Sequence, residues 1–210
     1  MPEWLSANAD VISAAASIGM LAIWAVYLNI FWRSHRRQRT PMLVINRGEG
    51  RALSARCFVT NMSQEAVYVQ SVVADLITPR KRHRAYITDA EDLRDVGSPT
   101  GWQHMTRQGP LGSGKLVDMG SFECILDYAV QVCAGEDRFA ESELGRETCA
   151  CEITIVGIYG SEDLLIGACR CFEIRRCGEA LFLRATRPET KQITSPRERR
   201  RLASEIAEQL

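Results

Sequence analysis

The chain has 210 residues, 46% of them apolar and 25% charged, and its 26 basic side chains balance 26 acidic ones. This composition is that of a folded protein, and the zero net charge excludes a global attraction to nucleic acid. The length allows one apolar anchor plus one domain large enough to bury a core.

Residues 11–32, VISAAASIGMLAIWAVYLNIFW, carry no charge. A helix rising about 1.5 Å per residue covers roughly 33 Å over this stretch, enough for a hydrocarbon core of about 30 Å. Tyr27 and Trp32 suit an interfacial aromatic belt, and Trp24 lies deeper. A cleaved signal peptide would need positive charge before the apolar run and small residues after it. Instead Glu3 and Asp10 precede the run and Trp32-Arg33 closes it, so an uncleaved transmembrane anchor is expected. Arg33, Arg36, Arg37 and Arg39 follow at once, the candidate membrane-surface residues. By the positive-inside rule residues 1–10 are extracytoplasmic and the domain after the basic linker 33–41 is cytoplasmic. Ala15 and Gly19 form a small-xxx-small pair that would allow close approach of a second helix in lipid.

Residues 42–187 read as a β-rich soluble domain. A first strand is expected over 42–46 and a glycine turn over 47–51. Residues 54–60 and 66–77 alternate or run β-branched and read together as a hairpin. Residues 79–84, PRKRHR, read as a basic loop, 85–107 as irregular, and 109–120 as a glycine-rich loop. Residues 121–132 fit a strand or a short helix equally, and the acidic stretch 134–147 a loop with a helical turn. Residues 149–159 and 164–175 form a second hairpin around the turn 160–163, and 180–184 add a last short strand. Many short strands between polar turns suggest a sandwich, with an immunoglobulin-like one as the leading form.

In the tail, residues 188–210, Ser195-Pro196-Arg197-Glu198 is a capping box with proline at the first helical position. Leu202, Ile206 and Leu210 then recur at helical spacing. An amphipathic helix is expected from Pro196 onward. Its stripe is too short to stand alone and must pack on the domain, a second copy or another protein.

The chemistry-bearing motifs are few. Gly109 through Lys115 matches G-x-x-x-x-G-K, but Leu116 stands where a P-loop needs a hydroxyl for magnesium, so no nucleotide is expected. Of eight cysteines, Cys149 and Cys151 pair in C-x-C spacing, as do Cys169 and Cys171. In a hairpin centred near Gly160, Cys149 would oppose Cys171 and Cys151 would oppose Cys169, putting four thiols on one face as a candidate metal site. A one-residue slip destroys that arrangement, and packed thiols are the competing expectation. In a reducing compartment disulfides are not expected. His35 and His83 lie in basic runs and His104 in an irregular one, and no Ser/His/Asp or Cys/His pairing follows from spacing. The carboxylate pairs Glu91/Asp92 and Glu136/Asp137 read as solvated loops.

The expected role is therefore a non-enzymatic, single-pass membrane-anchored interaction or scaffold protein without a cofactor. Its partners are the lipid bilayer and a protein or second copy, with no nucleic acid or nucleotide. Arg197, Arg199, Arg200, Arg201, Leu202 and Ile206 are the candidate docking residues. Arginine at a helix N-terminus opposes the macrodipole, a cost that an acidic surface or anionic headgroup would offset. The alternative is a membrane-bound cysteine-rich metal or redox sensor.

Overall fold

The computed structural model describes residues 8–38, 40–87, 108–160, 164–178 and 180–207, and the chain divides into two compact units, 1–40 and 41–210. The first unit holds one helix, α1 (Ala9–Gln38). Its stretch Ala9–Ser34 is long and apolar enough to cross a membrane, and none of its apolar window is buried within the protein. A helix apolar on every side has no face to turn to water. Ser17 donates its hydroxyl to the Ser13 carbonyl at 2.9 Å, the local bond by which a helix satisfies a hydroxyl internally. The helix does not stop at residue 32 but continues through the arginine-rich flank. Arginine and glutamine are good helix formers, and the next proline is Pro41.

The second unit contains, in chain order, β1 (Leu43–Arg47), β2 (Arg56–Asn61), β3 (Val67–Ile77), β4 (Arg82–Ile87), β5 (Gly109–Leu111) and β6 (Leu116–Ser121). Helices α2 (Phe122–Ala134) and α3 (Glu143–Glu147) follow, then β7 (Ala150–Tyr159), β8 (Ile166–Cys177), β9 (Ala180–Ala185), β10 (Lys191–Ile193) and α4 (Pro196–Ala207). Two sheets form. The smaller runs β1-β2-β6, and the larger runs β10-β8-β7-β3-β4, with β5 added on β3 and β9 on β8. Every pairing is antiparallel. The domain is thus mainly β, as its alternating segments require.

A single main core draws on both sheets and α2: Ile45 and Val59 from the smaller sheet, Val72, Leu76, Ile155 and Phe172 from the larger, Phe122 and Leu126 from the helix. Phe122 and Phe172 meet edge-on with ring centroids 4.8 Å apart. Each large side chain buried here contributes roughly 1.5–3 kcal/mol relative to exposure. In residues 121–132 the helix wins over the strand because Phe122, Ile125, Leu126, Ala129 and Val130 share one helical face, and all are buried. Ser121 caps it, its hydroxyl accepting from the Cys124 amide at 3.2 Å. Gly135, at φ 70°, ends it.

Three local expectations change. The runs at 54–60 and 66–77 do form strands, but not a hairpin: β2 pairs with β1 and β6, whereas β3 pairs with β4, β5 and β7. Buried Asn61 stands where the chain leaves the smaller sheet. Its amide donates to the carbonyls of Glu65 at 2.9 Å and Leu111 at 2.8 Å and accepts from the Ser63 amide at 2.8 Å, which bends the chain from one sheet into the other. The expected basic loop at 79–84 shrinks to a turn closed by Thr78 N–H to the Lys81 carbonyl at 2.9 Å. Arg82 and Arg84 already belong to β4, because Asp75 on β3 faces Arg84 across the ladder. The glycine-rich stretch 109–120 is a strand, a turn and a strand, so Lys115 leads into β6 rather than a helix.

Candidate functional site

Of the membrane-surface arginines, Arg33 is exposed on α1, and Arg36 and Arg37 lie on its helical backbone. The side chains of Arg36 and Arg37, and all of Arg39, fall outside the described residues. Leu210, His104, Trp102 and the pair Glu91/Asp92 also fall outside them.

The apolar stripe of the C-terminal helix is seated on the domain's own larger sheet. Leu202 and Ile206 are buried with Val73 and Val156, and Tyr86, Leu165 and Ile193 close the patch. Arg199 donates to the carbonyls of Leu164 and Leu165, anchoring the first turn of α4. Lys191 holds Glu198 at 2.9 Å, and Arg201 holds Glu205 at 2.7 Å. Arg197 and Arg200 are exposed.

Beside that patch lies a charged network around Asp75, which is fully buried. It accepts from Arg84 Nε at 2.7 Å, Arg84 Nη2 at 3.0 Å and Arg82 Nη1 at 3.1 Å. Arg82 also pairs with Glu152 at 2.7 Å, and Arg84 with Glu205 on α4. The hydrogen bonds that Arg84 donates to Asp75 hold its pKa well above the ordinary value. Burial works against the Arg82 cation, yet Glu152 and Asp75 outweigh it and raise its pKa. Burial likewise opposes ionisation of Glu205, but Arg201 and Arg84 prevail and hold its carboxyl below the usual range. Through the Arg84–Glu205 pair the network pins α4 to the sheet.

The cysteines do not gather. The β7–β8 register places Cys151 opposite Phe172, Cys171 opposite Glu152 and Cys169 opposite Thr154. This corrects the hairpin register in which Cys149 opposes Cys171 and Cys151 opposes Cys169. The offset is odd, so the two C-x-C pairs take opposite faces. The register that forms is the one that sends Ile153, Ile155, Ala168 and Phe172 into the core together. Cys151 goes inward with them, and burial pushes its thiol well above the ordinary range. Cys169 is pushed up to about 11, by burial first and Glu152 second. Cys149 is exposed and donates to the Ile77 carbonyl at 3.1 Å. Among the described residues no group of three or more His, Cys, Asp or Glu side chains is placed to hold a metal ion.

What the fold does gather is arginine. An open cleft of about 750 Å³ is lined by Arg47, Arg51, Arg175, Arg176 and Arg184, with Phe182 and Cys177 among them. These residues come from the end of β1, the turn beyond it, and the β8–β9 hairpin. The Leu183 amide bonds the Arg51 carbonyl at 2.7 Å, and Ala52 bridges Phe182, which fixes the turn against the hairpin. Arg175 opposes Phe182 across β8–β9, so guanidinium and ring share a face with Arg184 two residues on. Arg176 donates to the Gly145 carbonyl at 2.8 Å, and Arg47 to the Leu183 carbonyl. The Arg47 Nε is buried without a hydrogen-bond partner.

No carboxylate belongs to the described lining. Glu173, next to it, pairs with Arg175 at 3.0 Å. Behind the cleft Arg170 stacks over Phe172, 5.6 Å from its ring centroid. Burial lowers its pKa, and the charge of Arg47 lowers it further. Arginine cannot shed its proton to relieve such crowding, so the cleft keeps a concentrated positive field. Sequence reasoning passed over these residues. Arg175-Arg176 before Gly178 was visible as a pair, but Arg47, Arg51 and Arg184 are distant in the chain and carry no shared spacing.

Comparison with known proteins returns no match, whether to a family model, to a curated protein or to a solved structure.

Proposed function

We propose that the chain is a single-pass membrane-anchored interaction module, without catalytic activity, whose arginine cleft receives an anionic group of its partner. The observation that carries this reading is the convergence of five arginines on one concave surface with no lining carboxylate among the described residues. Concave, single-sign surfaces concentrate and steer oppositely charged ligands. The apolar helix α1 supports the anchor. The arginines that follow its apolar stretch support an extracytoplasmic N-terminus and a cytoplasmic domain. The two-sheet domain is the scaffold, and an immunoglobulin-like relationship is a proposal resting on its antiparallel strands alone. Exposed Arg197 and Arg200 on α4 offer a protein partner or second copy a further acidic contact.

The test combines fractionation with thiol labelling of the full chain in cells. The chain is expected to stay in the membrane pellet through high-salt and carbonate washes. Exposed Cys149 and Cys177 are expected to react with a membrane-impermeant maleimide only after permeabilisation. Release of intact chain refutes the anchor, and labelling of intact cells refutes the orientation.

A further inference from the structure

Resting on the anionic-docking reading, we propose that the arginine cleft is a binding site for clustered phosphate groups carried by a small organic molecule or a lipid headgroup. Charge and geometry each favour phosphate over carboxylate. Glu173 offsets one of the five guanidinium charges at most. A phosphate monoester carries about −1.5 to −2, so two on one compact skeleton match what remains, whereas carboxylates bring one charge each. The planar guanidinium fork bonds phosphate oxygens in pairs, and arginines from β1, the turn after it and the β8–β9 hairpin line this cleft.

The walls are set before a ligand arrives. Arg47 is tied to the Leu183 carbonyl, Arg176 to Gly145 and Arg175 to Glu173. Ordering these side chains therefore adds little to the cost of binding. Arg51 and Arg184 are both exposed at the cleft. Phe182 keeps 37% of its surface open and gives the carbon skeleton an apolar floor between them. A cleft of about 750 Å³ suits a compact molecule, within the range of roughly 300–1,000 Å³ typical of small-ligand sites.

The experiment uses the full chain in phosphatidylcholine nanodiscs, with inositol hexakisphosphate as the probe and calorimetry at near-physiological salt as the readout. One saturable site per chain is expected, weakened about tenfold or more in Arg51→Ser/Arg184→Ser. Arg51→Lys/Arg184→Lys, which keeps the charge and loses the forks, is expected to fall between. Arg80→Ser/Lys81→Ser removes the same charge from the exposed β3–β4 turn and is expected to bind like the parent. The probe is also expected to slow alkylation of Cys177 in the cleft and leave Cys149 unchanged. Nanodiscs doped with phosphatidylinositol bisphosphate separate the sources. Competition with the soluble probe identifies a headgroup site, and its absence a site for a soluble molecule; both support the proposal. Absence of saturable binding, or equal weakening in the β3–β4 turn variant, overturns it. A hexaglutamate peptide run in parallel distinguishes the failures. Binding of the peptide without the phosphate probe overturns the phosphate assignment alone, and binding of neither overturns the anionic-docking reading as well.

Discussion

Replacing Asp75 by Asn tests whether the buried charge network holds the larger sheet and α4 together. Asp75 has no exposed surface and accepts three hydrogen bonds, at 2.7, 3.0 and 3.1 Å, from two arginines. Asparagine offers one acceptor oxygen and turns its amide hydrogens against guanidinium donors. Breaking a fully buried pair costs about 3–5 kcal/mol. Here the side chains of Arg82 and Arg84 keep 46% and 29% of their surface, so water rehydrates the abandoned cations. The expected cost is therefore about 2–3 kcal/mol. For a domain of this size that corresponds to a fall in Tm of roughly 5–10 °C, read by circular dichroism of the full chain in micelles. Because Arg84 also pairs with Glu205, the C-terminal helix should become protease-sensitive at the same time. A Tm within about 2 °C of the parent, with α4 still protected, would refute the reasoning.

Leu202→Asp with Ile206→Asp should lift α4 from the sheet, because both side chains are buried against Val73 and Val156. Limited proteolysis is expected to remove the tail of this variant while sparing the parent, and unchanged protection would show that the helix is held without its stripe. Glu205 supplies a pH dependence. Its folded pKa lies below the ordinary carboxylate value, so its contribution is present above that value and lost as pH falls through the depressed one. Glu205→Gln is therefore expected to melt below the parent at neutral pH and to converge with it in acid; a difference that persists at the acid end contradicts this sign.

Elements whose signal is local were legible without coordinates. The run at 11–32 announces a long apolar helix by composition alone, and the capping box at Ser195–Glu198 marks the start of α4 to the residue. Local β signals found the strands at 42–46, 54–60, 66–77 and 149–159, since alternation or a run of β-branched and apolar residues is written in each segment separately. Pairing was less legible. The polar turn at 61–65 looks like a hairpin connection, yet the carbonyls that Asn61 reaches include Leu111, fifty residues away. The cysteine register failed in the same way. Turn residues bound it only loosely, and the shared burial of Ile153, Ile155, Ala168 and Phe172 selected it.

The candidate cleft lay beyond the sequence for a related reason. Clusters such as PRKRHR stand out because their charges are neighbours, but Arg82 and Arg84 there are consumed by Asp75 and their other partners. Arg47, Arg51, Arg175, Arg176 and Arg184 become neighbours only when the turn after β1 meets the β8–β9 hairpin. By itself the sequence determined the apolar helix, the β-rich composition of the domain and the start of the C-terminal helix, each set by the backbone and side-chain preferences of adjacent residues. Tertiary structure decided which strands pair, which thiols share a face and which arginines converge, because those outcomes depend on burying one apolar set in common, and residues far apart in the chain enter that core together.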